Sequence, residues 1–361
     1  MWKASAPSAR ARAGPRSESA GRAVWLAHRR CPQRTLPGRS QGSCAQTLHV
    51  DRTVWIDLKP VTIAPRRIGL VQSAHRPEAA ALTSVAARAA RAAGASVWEA
   101  PSWDDPSVAA RLPETDIVLC FGGDGTLIRG ARATAVFGVP IVGVNLGRVG
   151  FLAEFSPDEM PSGWDAVLRG DFWIEERVTL HVEHRRNGEH VGSHLAVNDA
   201  IIGRGRTNRI VRLHTWVDGQ YLTSFAADGL LVATPTGSTG SNLAAGGPIL
   251  PPDMPALVMV PILPFVSFRN PLIFGTTSQI DVQVVLGPPV SEQEAVLSID
   301  GGYAEPVEDG DRVSFRGNDL PSRFARVRPR NYFHASLVPK LQRGTLLTPL
   351  SPDTPSPGGT R

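Results

Sequence analysis

Three glycines surround one carboxylate in Phe121-Gly122-Gly123-Asp124-Gly125-Thr126. Gly122, Gly123 and Gly125 permit positive φ and let phosphate oxygens approach the backbone, while successive N–H groups supply positive potential. Thr126 adds a hydroxyl. The aspartate does not fit a plain phosphate cradle, because a carboxylate beside phosphates repels them. It belongs there if it orients a hydroxyl nucleophile, accepts that hydroxyl's proton or acts through Mg²⁺. Asp and Gly also serve as ordinary turn residues, so this stretch alone leaves both readings open.

Two further clusters have the residue types for a polar, multi-oxygen ligand. Residues 227–249 crowd Thr234, Thr236, Ser238, Thr239 and Ser241 between an apolar run and a short helical pattern. The stretch Ala-Val-Asn-Asp-Ala sets Asn198 and Asp199 side by side, with Arg209 following. As structural residues these would be a long Ser/Thr turn, a strand-end pair and a solvated charge.

The positioning elements follow from hydropathy. From residue 68, Ile-Gly-Leu-Val, Ser-Val-Trp-Glu-Ala, Asp-Ile-Val-Leu-Cys-Phe and Val-Pro-Ile-Val-Gly-Val read as strands, with an alanine-rich helix over Ala79 to Ala93. Strands alternating with helices predict a parallel, Rossmann-like α/β sheet, with the Gly-Gly-Asp-Gly-Thr loop at a strand's carboxyl end where such sheets bind ligands. After residue 170 short alternating runs divided by Gly, Asn and Asp predict a β-rich second domain. The expected boundaries are a basic tail over 1–64, the α/β domain over 65–170, the β-rich domain over 171–325, a segment over 326–345 returning to the α/β domain, and a disordered end over 346–361.

In this order the motifs resemble the NAD kinase family: GGDGTLIRGAR, then GVNLGRVGFLAEF, the Asn-acid pair, DGLLVATPTGST with AAGGPI, SIDGG and FHASLVPKL. The likeness runs from about residue 68 to 342. It implies transfer of the γ-phosphoryl group of ATP, or of polyphosphate, to the 2′-hydroxyl of the adenosine ribose of NAD, giving NADP. By that resemblance Asp124 is the residue that acts on the hydroxyl, and Gly122, Gly123, Gly125 and Thr126 form the phosphate loop. Asp124, Gly125, Asn198, Asp199, Arg209, Asp228, Thr239, Gly240, Ser241 and Ala244 hold NAD. Mg²⁺ or another divalent ion travels with ATP in place of a protein metal site, and the enzyme is a homo-oligomer, dimer or tetramer. This chain departs from the family at Gly240-Ser241, where Ala-Tyr is usual, at Pro264-Phe265-Val266, where Pro-His-Ser is frequent, and at Asp300-Gly301-Gly302, where Asp-Gly-Gln is frequent. Two other readings share parts of the pattern: a diacylglycerol-type lipid kinase built on the same first loop, and a dinucleotide-binding protein without catalysis. A greasy acceptor does not suit the hydroxyl-rich loop, and a pure binder has no need of Asp124.

Composition narrows the setting. The chain has 361 residues and a formal charge of +5. Residues 1–50 hold nine of its 38 Lys and Arg against one of its 33 acids, Glu18, so the other 311 residues carry 29 basic and 32 acidic side chains. The basic balance therefore describes a tail and argues against a nucleic-acid partner. Cys31, Cys44 and Cys120 show no pairing or metal spacing, which fits a reducing compartment. Apolar runs are too short for a secretory signal or a membrane span. A cytoplasmic enzyme is expected, or an organellar one if the Arg-rich, acid-poor residues 1–64 act as a transit peptide.

Overall fold

The computed structural model describes residues 64–73, 76–206, 209–265, 268–287 and 294–345. The expected tails at 1–64 and 346–361 lie outside these residues, Ala64 excepted.

The first half alternates strand and helix: β1 (Arg67–Gln72), α1 (Glu78–Ala92), β2 (Ser96–Ala100), α2 (Ser107–Arg111), β3 (Ile117–Gly122), α3 (Asp124–Ala135), β4 (Ile141–Asn145) and α4 (Met160–Leu168). The four strands pair in parallel in the order β2-β1-β3-β4. Every residue of β3 is buried, as expected of a strand covered on both faces. Ala79, Thr83, Ala86, Ala87 and Ala90 form the buried stripe of α1. Small side chains at this helical spacing let α1 lie close on the sheet. Trp164 of α4 closes the same core and donates its indole N–H to the Ala86 carbonyl at 3.2 Å.

The chain then passes through β5 (Trp173–Arg177), β6 (Leu180–Arg186), β7 (Glu189–Ala196), β8 (Asp199–Arg204), β9 (Val211–Val217), β10 (Gln220–Ala227), β11 (Gly229–Ala233), α5 (Ser241–Ala244), β12 (Ala256–Ile262), β13 (Leu272–Gly275), β14 (Ile280–Val285), β15 (Ala295–Ile299), β16 (Tyr303–Val307), β17 (Arg312–Gly317), β18 (Ser322–Arg326) and α6 (Tyr332–Thr345). Two six-stranded antiparallel sheets, β10-β9-β14-β17-β6-β7 and β13-β12-β11-β8-β15-β16, enclose a core that includes Leu213, Phe225, Val232, Met259 and Phe315. Strand β9 shows the alternation of a sheet with one buried face.

One expectation shifts at its edges. Strands β5 and β18, inside the stretch expected to be the β-rich domain, extend the α/β sheet past β4. They pair antiparallel with each other, and Phe324 of β18 pairs in parallel with Ile141 of β4. The two crossings between the sheets therefore fall just after Arg177 and just before Ser322. Among the described residues no helix is long and apolar enough to cross a membrane.

Candidate active site between the parallel sheet and the β-rich sandwich

Strand β3 ends at Gly122, and Asp124 is the first residue of α3 with Gly123 as its cap. The Asp124 carboxylate is held by a second loop: Oδ2 accepts the Phe151 N–H at 2.9 Å and Oδ1 accepts the Leu152 N–H at 3.1 Å. Each oxygen keeps a lone pair for a ligand hydroxyl. That second loop turns at Gly150, whose φ is +68° and whose backbone lies against the Asn145 side chain, so only glycine suits the position. Gly123, Gly125 and Thr126 open onto a cleft of about 400 Å³, whose other walls include Arg76, Arg129, Arg132 and Asp300. Gly125 is exposed and has open space where a Cβ would stand. The N-terminus of a twelve-residue helix and three arginines thus face one cavity, an arrangement suited to phosphates.

Asn198 and Asp199, whose N–H groups are held by the cleft-wall residue Asp300, meet the Thr234–Ser241 loop. The Thr234 hydroxyl donates to the Val197 carbonyl at 2.6 Å, and the Thr234 N–H donates to the Asn198 carbonyl at 2.8 Å. Gly237 packs so closely on the Asn198 backbone that any Cβ would overlap it. The Asn198 Oδ1 is buried with no hydrogen-bond partner. A buried acceptor left open is costly unless a ligand donor fills it. Asp199 is 3% exposed. Burial pushes its carboxyl up to about 6, the Ser241 hydroxyl counteracts that and the nearby Asp300 charge adds to it.

Asp300, seen in the sequence within the SIDGG motif and named as no site residue there, organises this corner. It has φ +50° and accepts N–H bonds from Val197 at 3.0 and 3.1 Å, Asn198 at 2.7 Å and Asp199 at 3.2 Å. Arg132 of α3 lies 3.7 Å from its Oδ2. Burial raises the Asp300 carboxyl, and the three N–H bonds and Arg132 oppose the shift. One carboxylate thereby ties the phosphate-loop helix to the Asn-Asp pair.

A second tie is fully buried. Arg326 donates to the Leu152 carbonyl at 2.9 Å and to Glu175 at 2.8 Å, and it pairs with Glu154 at 3.2 Å. Glu175 also accepts Arg177 at 2.9 Å, and Arg177 reaches the Thr236 hydroxyl at 3.4 Å and the Tyr332 hydroxyl at 2.8 Å. The loop that holds Asp124 and the Thr234–Ser241 loop are thus joined through paired charges.

The remaining expected residues divide. Thr239 is half-buried and bonds the Thr236 carbonyl at 3.4 Å, while Gly240, Ser241 and Ala244 are exposed at α5 and the Ser241 hydroxyl meets Asp199. The hydroxyls of Thr234 and Ser238 are spent inside the loop, Ser238 on Pro235 at 2.6 Å and Leu250 at 3.0 Å, so their density in the sequence reflects folding of the loop. Asp228 and Arg209 are not brought to the Asn-Asp pair. Strand β11 faces β8 with Ala233 opposite Asp199 and Gly229 opposite Gly203, so Asp228 lies at the far end, roughly 16 Å away at the rise of a strand. There it pairs with Arg204 at 3.2 Å. Arg209 is exposed and precedes Val211, which pairs with Ala227, so it stands at that same end. Spacing along the sequence did not reveal this because β11 runs antiparallel to β8 and carries its two ends apart.

Both parts of the chain match known proteins. Residues 77–172 match the ATP-NAD kinase N-terminal domain and residues 197–327 the ATP-NAD kinase C-terminal domain. A NAD kinase of Dehalococcoides mccartyi (strain CBDB1) is 34% identical over 278 residues, covering 77% of this chain and 96% of that relative. A NAD kinase of Desulforamulus reducens is 40% identical over 220 residues, 61% of this chain and 75% of that one. The fold is similar to that of yeast NADH kinase complexed with NADH, at a TM-score of 0.66 and 23% identity, covering 80% of this chain and 91% of that one. It is likewise similar to a NAD kinase from Archaeoglobus fulgidus in complex with ATP, at a TM-score of 0.61 and 23% identity, covering 77% and 99%. The matches include both the Asp124 loop and the Asn198-Asp199 corner, which a lipid kinase sharing only the first motif would not explain. The chain belongs to the NAD kinase family.

Proposed function

We propose that this chain transfers the γ-phosphoryl group of ATP to the 2′-hydroxyl of the adenosine ribose of NAD, with Asp124 orienting the hydroxyl and taking its proton. The observation that carries the assignment of roles is the fixed Asp124 carboxylate, braced by two backbone N–H groups and flanked in the chain by Gly123 and Gly125, which line the arginine-walled cleft. Phosphoryl transfer needs positioning and charge stabilisation more than a strong base, so a carboxylate suffices as late proton acceptor. Gly123, Gly125 and Thr126 face the donor phosphates. The open Asn198 Oδ1 and the Asp199 carboxylate face hydrogen-bond donors of the dinucleotide. Purified protein with NAD, ATP and Mg²⁺, read through an NADP-specific dehydrogenase, tests the reading: NADP formation is expected, and its absence with both ATP and polyphosphate would overturn it.

Mg²⁺ belongs to this scheme as part of the donor, neutralising the triphosphate. Among the described residues no cluster of three or more His, Cys, Asp or Glu is placed to hold a metal.

The separation of Asp228 and Arg209 from Asp199 supports a homo-oligomer in which one copy presents these two residues to its neighbour's site. Exposed Leu263, Phe265, Phe268 and Ile273 give the β-rich part an apolar surface for such contact. Light scattering tests the assembly. Mixing inactive Asp124→Asn with inactive Asp228→Asn tests the sharing: activity returns only if sites are built from two copies. A cytoplasmic setting is proposed from the cysteine usage, and a reporter fused to residues 1–64 distinguishes it from an organellar one.

A further inference from the structure

The arginine-lined cleft does not end at Arg132. Trp103, Asp104, Arg129, Arg132 and Gly302 line it and also line an adjoining cavity of about 350 Å³, which Ala133 completes. The two make one groove along α3. Gly125 and Thr126, at the helix N-terminus, belong to the first cavity, and Ala133 belongs to the second. At the helical rise per residue Gly125 and Ala133 are about 12 Å apart along the axis, with Arg129 midway. A triphosphate laid from the helix N-terminus past Arg129 therefore brings whatever it carries to the second cavity.

The chemistry of the groove changes along that path. Where the first cavity offers the helix N-terminus and guanidinium groups, the second adds a ring and a carboxylate. Trp103 is half-buried and fixed in place: its benzene ring fills the space left by Gly130, where a Cβ would overlap it, and its indole N–H is spent on the Cys120 Sγ at 3.4 Å. The side chain can therefore meet a ligand only through ring carbon. Asp104 is exposed, its Oδ2 takes Arg129 at 3.3 Å, and among the described residues nothing bonds its Oδ1. Gly302 adds a wall without a side chain, and a Cβ there would meet nothing nearer than the Asp300 carbonyl at 4.0 Å. Further phosphates gain nothing from ring carbon and are repelled by a carboxylate. A nucleoside suits both, since a base has a π face for the indole, and its amino group or its ribose hydroxyls can donate to Asp104.

Resting on the phosphoryl-transfer reading above, we propose that the second cavity holds the nucleoside end of the phosphoryl donor, with the base on Trp103 and a nucleoside N–H or O–H on the Asp104 Oδ1. These two residues then make a nucleoside triphosphate the donor in preference to inorganic polyphosphate, which can use only the first cavity well. Neither touches the reacting atoms. Both determine which donor is held.

The test is equilibrium binding of ATP, of inorganic tripolyphosphate and of NAD, each with Mg²⁺, to wild type, Trp103→Leu, Trp103→Phe and Asp104→Ala. Wild type should bind ATP about fivefold to a hundredfold tighter than tripolyphosphate, the span expected for one base on one ring. Trp103→Leu should erase most of that ratio, and Trp103→Phe, which keeps a ring, should erase less of it. Asp104→Ala changes an exposed side chain and should lower the ratio about twofold to tenfold, because ATP loses an acceptor while Arg129 is freed for tripolyphosphate. NAD affinity should stay within about twofold throughout, as expected of a separate site. A general loosening of the fold would weaken ATP and tripolyphosphate together, so the ratio is the readout. Equal affinity of wild type for the two, or an unchanged ratio in Trp103→Leu and Asp104→Ala, overturns the proposal. Loss of NAD affinity in place of ATP affinity also overturns it, by giving the cavity to the dinucleotide. Failure of wild type to make NADP while the ratios behave as expected removes the phosphoryl-transfer reading instead and leaves a nucleotide groove.

Discussion

Arg132 and Asp300 stand 3.7 Å apart across the corner where the phosphate-loop helix meets the turn after β15. Asp300 is nearly inaccessible and already accepts the N–H groups of Val197, Asn198 and Asp199, while about a third of the Arg132 side chain is exposed. The carboxylate therefore shapes the Asn-Asp pair, and the arginine places α3 against it.

Asp300→Asn should cost about 2 to 4 kcal/mol, since an amide offers one acceptor to three buried N–H donors and turns its own NH₂ toward them. Arg132→Met should cost about 1 kcal/mol or less, being partly screened. Urea unfolding of the two variants gives the comparison, and equal losses would show that the ion pair, not the three N–H bonds, holds the corner.

Arg326→Met should be among the most damaging single changes. It leaves Glu154 and Glu175 buried without their shared cation, a loss of roughly 3 to 5 kcal/mol by comparison with other broken buried pairs. A loss under about 1 kcal/mol in urea titration would mean that water enters and resolvates the carboxylates.

Much of the fold and part of the site could be read before any coordinates. The alternation of Ile68-Gly69-Leu70-Val71, the Ala-rich helix and Val118-Leu119-Cys120-Phe121 declares a parallel sheet because hydropathy and crossover helices are local signals. Asp124, Asn198 and Asp199 stood out for the same reason: each lies in a compact motif. Arg326, Glu175 and Arg177 did not, because isolated charges in strands look solvated until β5 and β18 pair at the sheet edge and bury them. Asp300 was visible only as part of the SIDGG motif and without a role, since its partners come about a hundred residues earlier.

NAD affinity should rise with pH through about 6. The carboxyl of Asp199 is pushed up to about 6 chiefly by burial, so at pH 5 it is mostly neutral and by pH 7 mostly charged, when it can accept ribose hydroxyls strongly. Stability follows the opposite sign: a carboxyl with a raised folded pKa binds protons in the native state between its ordinary value near 3.8 and about 6, so its contribution falls as pH rises across that window. Ser241→Ala, which removes a hydroxyl that favours the charged form, should move the binding limb to higher pH. Calorimetry from pH 5 to 8 reads both. A limb that persists unchanged in Asp199→Asn belongs to another group.

Asp124→Asn separates catalysis from binding. Asparagine keeps the size of the side chain and one acceptor, so the Leu152 or the Phe151 N–H is still met, but the other faces an NH₂ group and the negative charge is gone. Orientation of the ribose hydroxyl and acceptance of its proton should both suffer, lowering kcat by about 10² to 10⁴. The dissociation constant of NAD should change little, because the geometry of Asn198 and Asp199 is set by Asp300 and Thr234 and not by Asp124. Calorimetry with NAD and single-turnover kinetics with ATP make the distinction. Near wild-type kcat would reduce Asp124 to a residue that braces the second loop. Loss of NAD binding together with turnover would make it a ligand group first, with the proton leaving by another route.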